Sequence, residues 1–391
     1  MLSLAMGLRQ SLGIVMPPLV ADIPVTVTQF TLAIAIQNLV WGLLQPIAGM
    51  IVGRSGFRPV MMIGSACYVV GLAMLAMANG SWFVTIGAGF LVGAAMAMSS
   101  VTMAMSITTR VISPAKRSMA LGIVSAAGSL GALFSAPIGQ GLVEAFTWRE
   151  GVWGFAALAV IMLPAAWIAG RVDRMDLPAP VSQGADDLSA RNAIRMAMAN
   201  PRYLTMGGAF FVCGMQLIFL TTHLPSYLVL CGMDPMLSAT ALGTIGGFNI
   251  LGSLFFGWAG GRWNREVLLG LIYVGRSIVL AWYFVTPPTP ESTVIFAALM
   301  GFLWLGVSPL VAGTVAALFG LRWQPMLQGF MFFNHQIGSF AGAFGGGWLF
   351  QHLGSYDLAV KLGVGLGLTA GIVQILVPMM FRDDPAQPAP A

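Results

Sequence analysis

The chain has 391 residues, 58% of them hydrophobic and only 8% charged, with a formal net charge of +5. A soluble domain carries about a quarter charged residues, so there are too few charges here to cover a water-facing surface, and the solvent for most of that surface is lipid. The basic residues sit in short segments between apolar runs, which excludes nucleic acid as their reason, and the lack of alternating polar strands excludes a membrane barrel.

A spanning helix needs roughly 20 apolar residues to cross about 30 Å of hydrocarbon. The pattern predicts twelve spans, near 1–21, 29–52, 60–78, 82–108, 119–143, 151–170, 203–231, 237–260, 267–285, 293–317, 326–349 and 358–380. Span one has no basic flank before it, so it does not read as a cleavable signal peptide. It carries Arg9 only eight residues after Met1. If Arg9 is near mid-membrane, either helix is missing before Met1 or the helix is short at its inner end. Asn79-Gly80-Ser81 separates spans three and four, Thr286 to Pro290 separates nine and ten, and Gly354-Ser355-Tyr356 precedes span twelve. The longest polar stretch, 171–202, splits the spans six and six. Its second part reads as a short interfacial helix, capped by Ser189 and with Arg191 and Arg195 on a polar face.

These elements predict an all-α membrane fold: twelve transmembrane helices in two six-helix, pseudo-symmetric bundles. The expected parts are an N-terminal bundle (1–170), a cytoplasmic linker (171–202), a C-terminal bundle (203–381) and a cytoplasmic tail (382–391). With the amino terminus inside, the inner segments hold fourteen Arg and Lys residues and the outer ones only Arg149 and Lys361. The positive-inside rule therefore puts both termini in the cytoplasm of a bacterial inner membrane. Cys67, Cys213 and Cys231 lie inside apolar segments and read as small core residues, not as disulfides or metal ligands.

The halves repeat at an offset of 207 or 208. Gly7-Leu8-Arg9 falls on Gly214-Met215-Gln216, and Pro18 on Pro225. Gly49 to Arg54 falls on Gly257 to Arg262, and Gly122 and Gly131 on Gly329 and Gly338. The repeat is parallel, and a repeat interface is where transporters bind substrate.

On these segments the chain resembles the major facilitator superfamily over essentially its whole length. The loop after span two is similar to the superfamily signature Gly-x-x-x-Asp-Arg-x-Gly-Arg-Arg/Lys through Gly49, Arg54, Gly56 and Arg58. Gly53 stands in place of the Asp. Gly257, Arg262 and Arg265 repeat the match in the second half, with Gly261 in place of the Asp. In the family that Asp helps clamp the cytoplasmic side, so these loops read as gates lacking their usual acid. Gly7 to Gly13, His223 to Tyr227, Asn334 to Gly338 and Gly354 to Asp357 resemble the bacterial relatives of monocarboxylate transporters and oxalate/formate antiporters. Animal monocarboxylate transporters carry an Asp and an Arg in span eight, where this chain has Asn249 and Ser253. Their span-one Lys falls near Gln10, one place from Arg9.

A charge at mid-bilayer costs about 2.5–3.5 kcal/mol on insertion scales, so the embedded polar residues are the candidate machinery. Arg9 and Arg276 are the deep cations, and no carboxylate falls at a span centre. This favours an anionic substrate, because a buried Arg without an acid must be balanced by carbonyls, water or an anion. The expected substrate ligands are Arg9, Gln10, Gln216, Asn249, Asn334 and His335. His223, His335 and Arg276 are the candidates for proton coupling or gating, each weighed against a plain helix-to-helix bond. Gln37, Asn38 and Gln45 in span two are divided between cavity and packing.

No Walker loop, metal cluster or paired carboxylates in a span support an enzyme or a cofactor. The reading is a secondary active transporter for a small organic anion, of monocarboxylate type, with proton symport as one option. Such a carrier works as a monomer in the bilayer, with no nucleic-acid partner. The alternative is an exporter of amphiphilic or drug-like compounds, suggested by the Met- and Phe-rich lining and opposed by the missing embedded acid.

Overall fold

The computed structural model describes residues 1–175, 189–233 and 235–381. The centre of the linker and the expected tail at 382–391 lie outside the described residues. Among those described, the regular structure is helical throughout.

Ten helical runs are long and apolar enough to cross a membrane by length and composition. Two further long helices, Pro114–Ala145 and Gln324–Leu353, stand at the places of spans five and eleven. Their 32 and 30 residues correspond to more than 40 Å at about 1.5 Å per residue. The twelve places of the expected fold are thereby filled. The linker helix forms over Ala190–Ala199, with the Ser189 hydroxyl accepting from Asn192 N, Arg191 and Arg195 exposed, and Ala193 and Ala197 buried.

Four spans are interrupted, three of them near a proline, whose ring removes a backbone donor. Span one is two helices, Leu2–Gln10 and Leu12–Asp22, with Pro17 and Pro18 in the second. Span six breaks at Ile161, three residues before Pro164. Span ten is Pro290–Phe302 and Val307–Phe319, with Pro309 just past the break. Span four contains a widened π segment, Thr85–Leu91, and a second interruption at Ser100.

The chain packs as two compact units. Unit one comprises Met1–Val111, Ala127–Ala179 and Arg322–Gly329; unit two comprises Ile112–Ala126, Pro180–Leu321 and Phe330–Ala391. In unit one, Val52, Phe57, Met61, Met103 and Val172 share a buried cluster. Span two is fastened to span four by Gln37 Nε2, which donates to Ala88 O (2.6 Å), and Gln45 Nε2, which donates to Ala97 O (2.9 Å). In hydrocarbon such amides must find partners within the protein, and both glutamines serve packing. In unit two, Phe219, Leu224, Leu280, Tyr283 and Phe296 belong to the main buried cluster.

Candidate functional site

Arg9 ends the first helix of span one, immediately before the Ser11 interruption. Its Nη2 donates to Asn38 Oδ1, and its guanidinium carbon lies 5.1 Å from the centre of the Trp41 ring. Asn38 is itself held, because its Nδ2 donates to Ile34 O (3.0 Å). Trp41 is held by donating Nε1 to Gln45 Oε1 (3.0 Å). Tyr68, fully buried, reaches across from span three and donates to Ala5 O (2.8 Å). The cation is thus positioned by side chains that are themselves fixed, as a binding group needs.

The Arg9 Nε is buried with no partner, while the residue as a whole stays half-buried. Among the described residues the ion pairs are Arg149–Asp22 and Arg202–Glu266, and Arg9 takes part in neither. A planar guanidinium in this state can take a carboxylate through two parallel hydrogen bonds. Gln10, the next residue, is exposed.

The other expected ligands are spread through unit two and are engaged in packing bonds. Gln216 Nε2 donates to Ser277 Oγ (3.2 Å) and Gly363 O (2.9 Å), joining span seven to spans nine and twelve. Asn249 Oδ1 accepts from Leu305 N (2.8 Å) and so caps the break in span ten. Leu305 O, whose donor four residues on is removed by Pro309, accepts from Ser308 N (3.1 Å) and Ser125 Oγ (3.4 Å). Asn334 Nδ2 donates to Gly207 O (3.0 Å), tying span eleven to span seven. His335 stacks on Phe332, with ring centres 5.7 Å apart, and its Nδ1 lies 3.4 Å from Ser339 Oγ.

His223 Nε2 donates to Ala343 O (2.9 Å), and Tyr356 Oη donates to its Nδ1 (3.3 Å). These roles follow from the carbonyl, which can only accept, and they make His223 a satisfied link between spans seven and eleven and the turn before twelve. Arg276 is fully buried, with both terminal nitrogens on Cys213 Sγ (3.0 and 3.4 Å) and the Tyr273 ring 5.2 Å away. The internal repeat gives this a counterpart. Offsets of 207 and 208 place Gln216 on Arg9 and Arg276 on Tyr68. Each half therefore holds one deep arginine between its first and third helices, on opposite members of the pair.

The signature loops contain an acid that the motif does not predict. Asp173, at the end of span six, accepts from Phe57 N and Arg58 N, both at 2.8 Å, and so caps span three. Gly56 precedes these two residues at φ +88°, where a Cβ would lie 2.7 Å from the Asp173 carboxyl carbon. Arg58 stacks over Trp167 at 4.4 Å, and Arg54 is exposed. In the second loop Arg262 stacks over Trp258 at 4.3 Å, and Arg265 Nε donates to Gly260 O (3.1 Å). The signal for Asp173 is local: a span opening on glycine has no side chain to cap its free N–H groups, so an acid must come from elsewhere.

Two close approaches flank these loops. Within unit one, a Cβ on Gly49 would run into the backbone of Pro325 and Met326. Within unit two, a Cβ on Gly122 would lie 2.6 Å from Ser253 O and 2.7 Å from Gly257 Cα. No group of His, Cys, Asp or Glu that could hold a metal ion occurs among the described residues.

The Major Facilitator Superfamily model matches residues 1–343 of the chain. Rat (Rattus norvegicus) monocarboxylate transporter 13 is 23% identical over 97% of this chain and 87% of its own length. An uncharacterised MFS-type transporter of Bacillus subtilis, YcxA, is 22% identical over 90% and 86%. Among solved structures, the E. coli fucose:proton symporter superposes with a TM-score of 0.71 at 14% identity, covering 95% of this chain and 96% of that one. The proton:xylose symporter XylE gives 0.72 at 11% identity over 97% and 93%.

Proposed function

The chain belongs to the Major Facilitator Superfamily, and from that premise we propose that it carries a small organic anion of monocarboxylate type, bound at Arg9. It is a multi-pass membrane transporter, secondary active, working by alternating access, and not an enzyme. The observation that supports an anionic substrate is the state of Arg9: a fixed, half-buried guanidinium with an unpartnered Nε and no carboxylate in an ion pair with it among the described residues. A carboxylate would complete its hydrogen bonding and neutralise its charge, with Trp41 covering one face and Asn38 fixing one edge. The relatives named monocarboxylate transporters support the same class.

Arginine is suited to this work because it stays protonated across physiological pH, so the binding charge does not depend on the coupling proton. If a proton is co-transported, the residue to test is His335, since His223 has both ring nitrogens engaged. The density of inner basic residues supports an orientation with both termini in the bacterial cytoplasm.

The test is uptake of radiolabelled lactate, pyruvate and oxalate into proteoliposomes, with and without a pH gradient. Saturable uptake of at least one carboxylate supports the proposal. No carboxylate uptake, together with saturable binding of hydrophobic cations, rejects it in favour of an exporter of amphiphiles.

A further inference from the structure

Spans eight, nine and ten of unit two border an open groove of about 580 Å³, a volume within the range of ligand pockets. Its walls are apolar, with Phe255, Leu268 and Leu303 among them, and it opens past Leu271, which is 53% exposed. One end differs. There Trp263 and Asn264, from the loop between spans eight and nine, complete the wall. That loop carries cations on both sides of them. Arg262 is exposed and lies over Trp258 at 4.3 Å, and Trp258 meets Trp263 edge to face at 5.4 Å. Arg265 follows Asn264 and is anchored by donating Nε to Gly260 O (3.1 Å). The start of span five adds a third cation. A Cβ on Gly261 would lie 3.5 Å from Ser118 Cβ, and the neighbouring Arg117 and Arg265 act on each other as like charges. Among the described residues the ion pairs are Arg149–Asp22 and Arg202–Glu266, so none of these three arginines has an acid, and Glu266, next to Arg265 in the chain, is taken by Arg202.

We infer that this groove holds an acyl chain of an anionic phospholipid, whose phosphate is received by Arg262 and the Arg117–Arg265 pair. The charge sets the head group. Like charges gathered without an acid are relieved by an anion, and a guanidinium gives a phosphate two parallel hydrogen bonds. Basic pockets between spanning helices recognise anionic head groups in this way. A zwitterionic lipid offers the same phosphate, but its ammonium brings one more cation to a place that has three. The walls set the remainder of the ligand. Tryptophans sit at head-group level, so Trp258 and Trp263 put the basic end at the membrane surface and leave the apolar walls to the hydrocarbon. The site lies wholly within unit two and stands whether or not Arg9 takes a carboxylate.

Native mass spectrometry of the full chain in detergent, with equal amounts of dioleoyl phosphatidylglycerol and dioleoyl phosphatidylcholine, tests this. Phosphatidylglycerol should bind at least tenfold more tightly. Each cation near an anionic head group contributes about fivefold in affinity. Arg262→Gln should therefore weaken phosphatidylglycerol about fivefold, and Arg117→Gln combined with it should make the two lipids bind alike. Arg171→Gln with Arg174→Gln, which removes the same charge from exposed positions in unit one, should leave the preference unchanged. Leu271→Trp, which fills the mouth, should lower binding. A phosphatidylglycerol with a diazirine on its acyl chain should label 263–272 in the unaltered chain, which locates the site should that variant fold poorly. Equal binding of the two lipids, undiminished preference in the double variant, an equal loss in the unit-one control, labelling confined to other spans, or displacement of the lipid by inorganic phosphate at the lipid's own concentration would each overturn the assignment.

Discussion

Arg202 and Glu266 join the first turns of spans seven and nine through the shorter of the two ion pairs among the described residues. Arg202 Nη2 lies 2.6 Å from Glu266 Oε2, and its Nε donates to both carboxylate oxygens at 3.1 and 3.2 Å. The side chains are 17% and 3% exposed. Substituting Arg202→Met leaves the Glu266 carboxylate nearly dry and without its cation, and breaking such a buried pair costs about 3–5 kcal/mol. Glu266→Met should cost less, about 1–3 kcal/mol, because Arg202 is more exposed and retains other interactions. The double variant should recover most of the loss, since two apolar groups can replace a buried pair at little cost. Read as melting temperature in detergent, at roughly 2–4 °C per kcal/mol for a unit of this size, Arg202→Met should melt roughly 6–20 °C lower. A single variant within about 1 °C of the parent, or a double variant worse than Arg202→Met, would refute the reasoning.

Asp173→Ala should cost about 1–2 kcal/mol, the usual worth of a helix N-cap, and Gly56→Ala should cost more because it adds backbone strain at φ +88°; melting curves that rank them otherwise would show that Asp173 is not the cap of span three. Asn249→Leu leaves Leu305 N unmet in the broken span ten and should lower stability by about 1–3 kcal/mol, whereas unchanged melting would release Asn249 for a cavity role. Gly122→Val drives a side chain into Ser253 and Gly257. It should raise cysteine-reagent labelling where the start of span five meets the end of span eight, and unaltered labelling would mean that the close approach is not needed.

The twelve spans were legible because apolar length alone decides them in a bilayer. The repeat was legible because it preserves glycines and prolines, whose effects are on the backbone. Partners of polar side chains were not legible. Gln37 and Gln45 look like Asn38 in sequence, yet the first two bond to span-four carbonyls and only Asn38 meets Arg9. In sequence Gln216 stands out as the repeat partner of Arg9 and Asn249 by its depth in span eight, and neither signal names a bonding partner. Their bonds to Gly363 and Leu305 depend on which way one helix face turns and on where span ten breaks. Asp173 is in sequence only one of the acids outside the span centres, and the fold brings it to the signature loop 116 residues away. Arg9 stands out in the sequence because a deep cation is costly anywhere, and the cost can be read without knowing its neighbours.

The central claim is that Arg9 holds the substrate carboxylate, and equilibrium binding of a radiolabelled carboxylate to Arg9→Gln in nanodiscs tests it most directly. A hydrogen-bonded charge is worth about 1.5–3 kcal/mol, so affinity should fall about 10- to 100-fold in a variant whose melting temperature is preserved, with Arg9→Lys intermediate because it lacks the bidentate fork. Affinity within twofold of the parent in a folded Arg9→Gln protein would contradict the account.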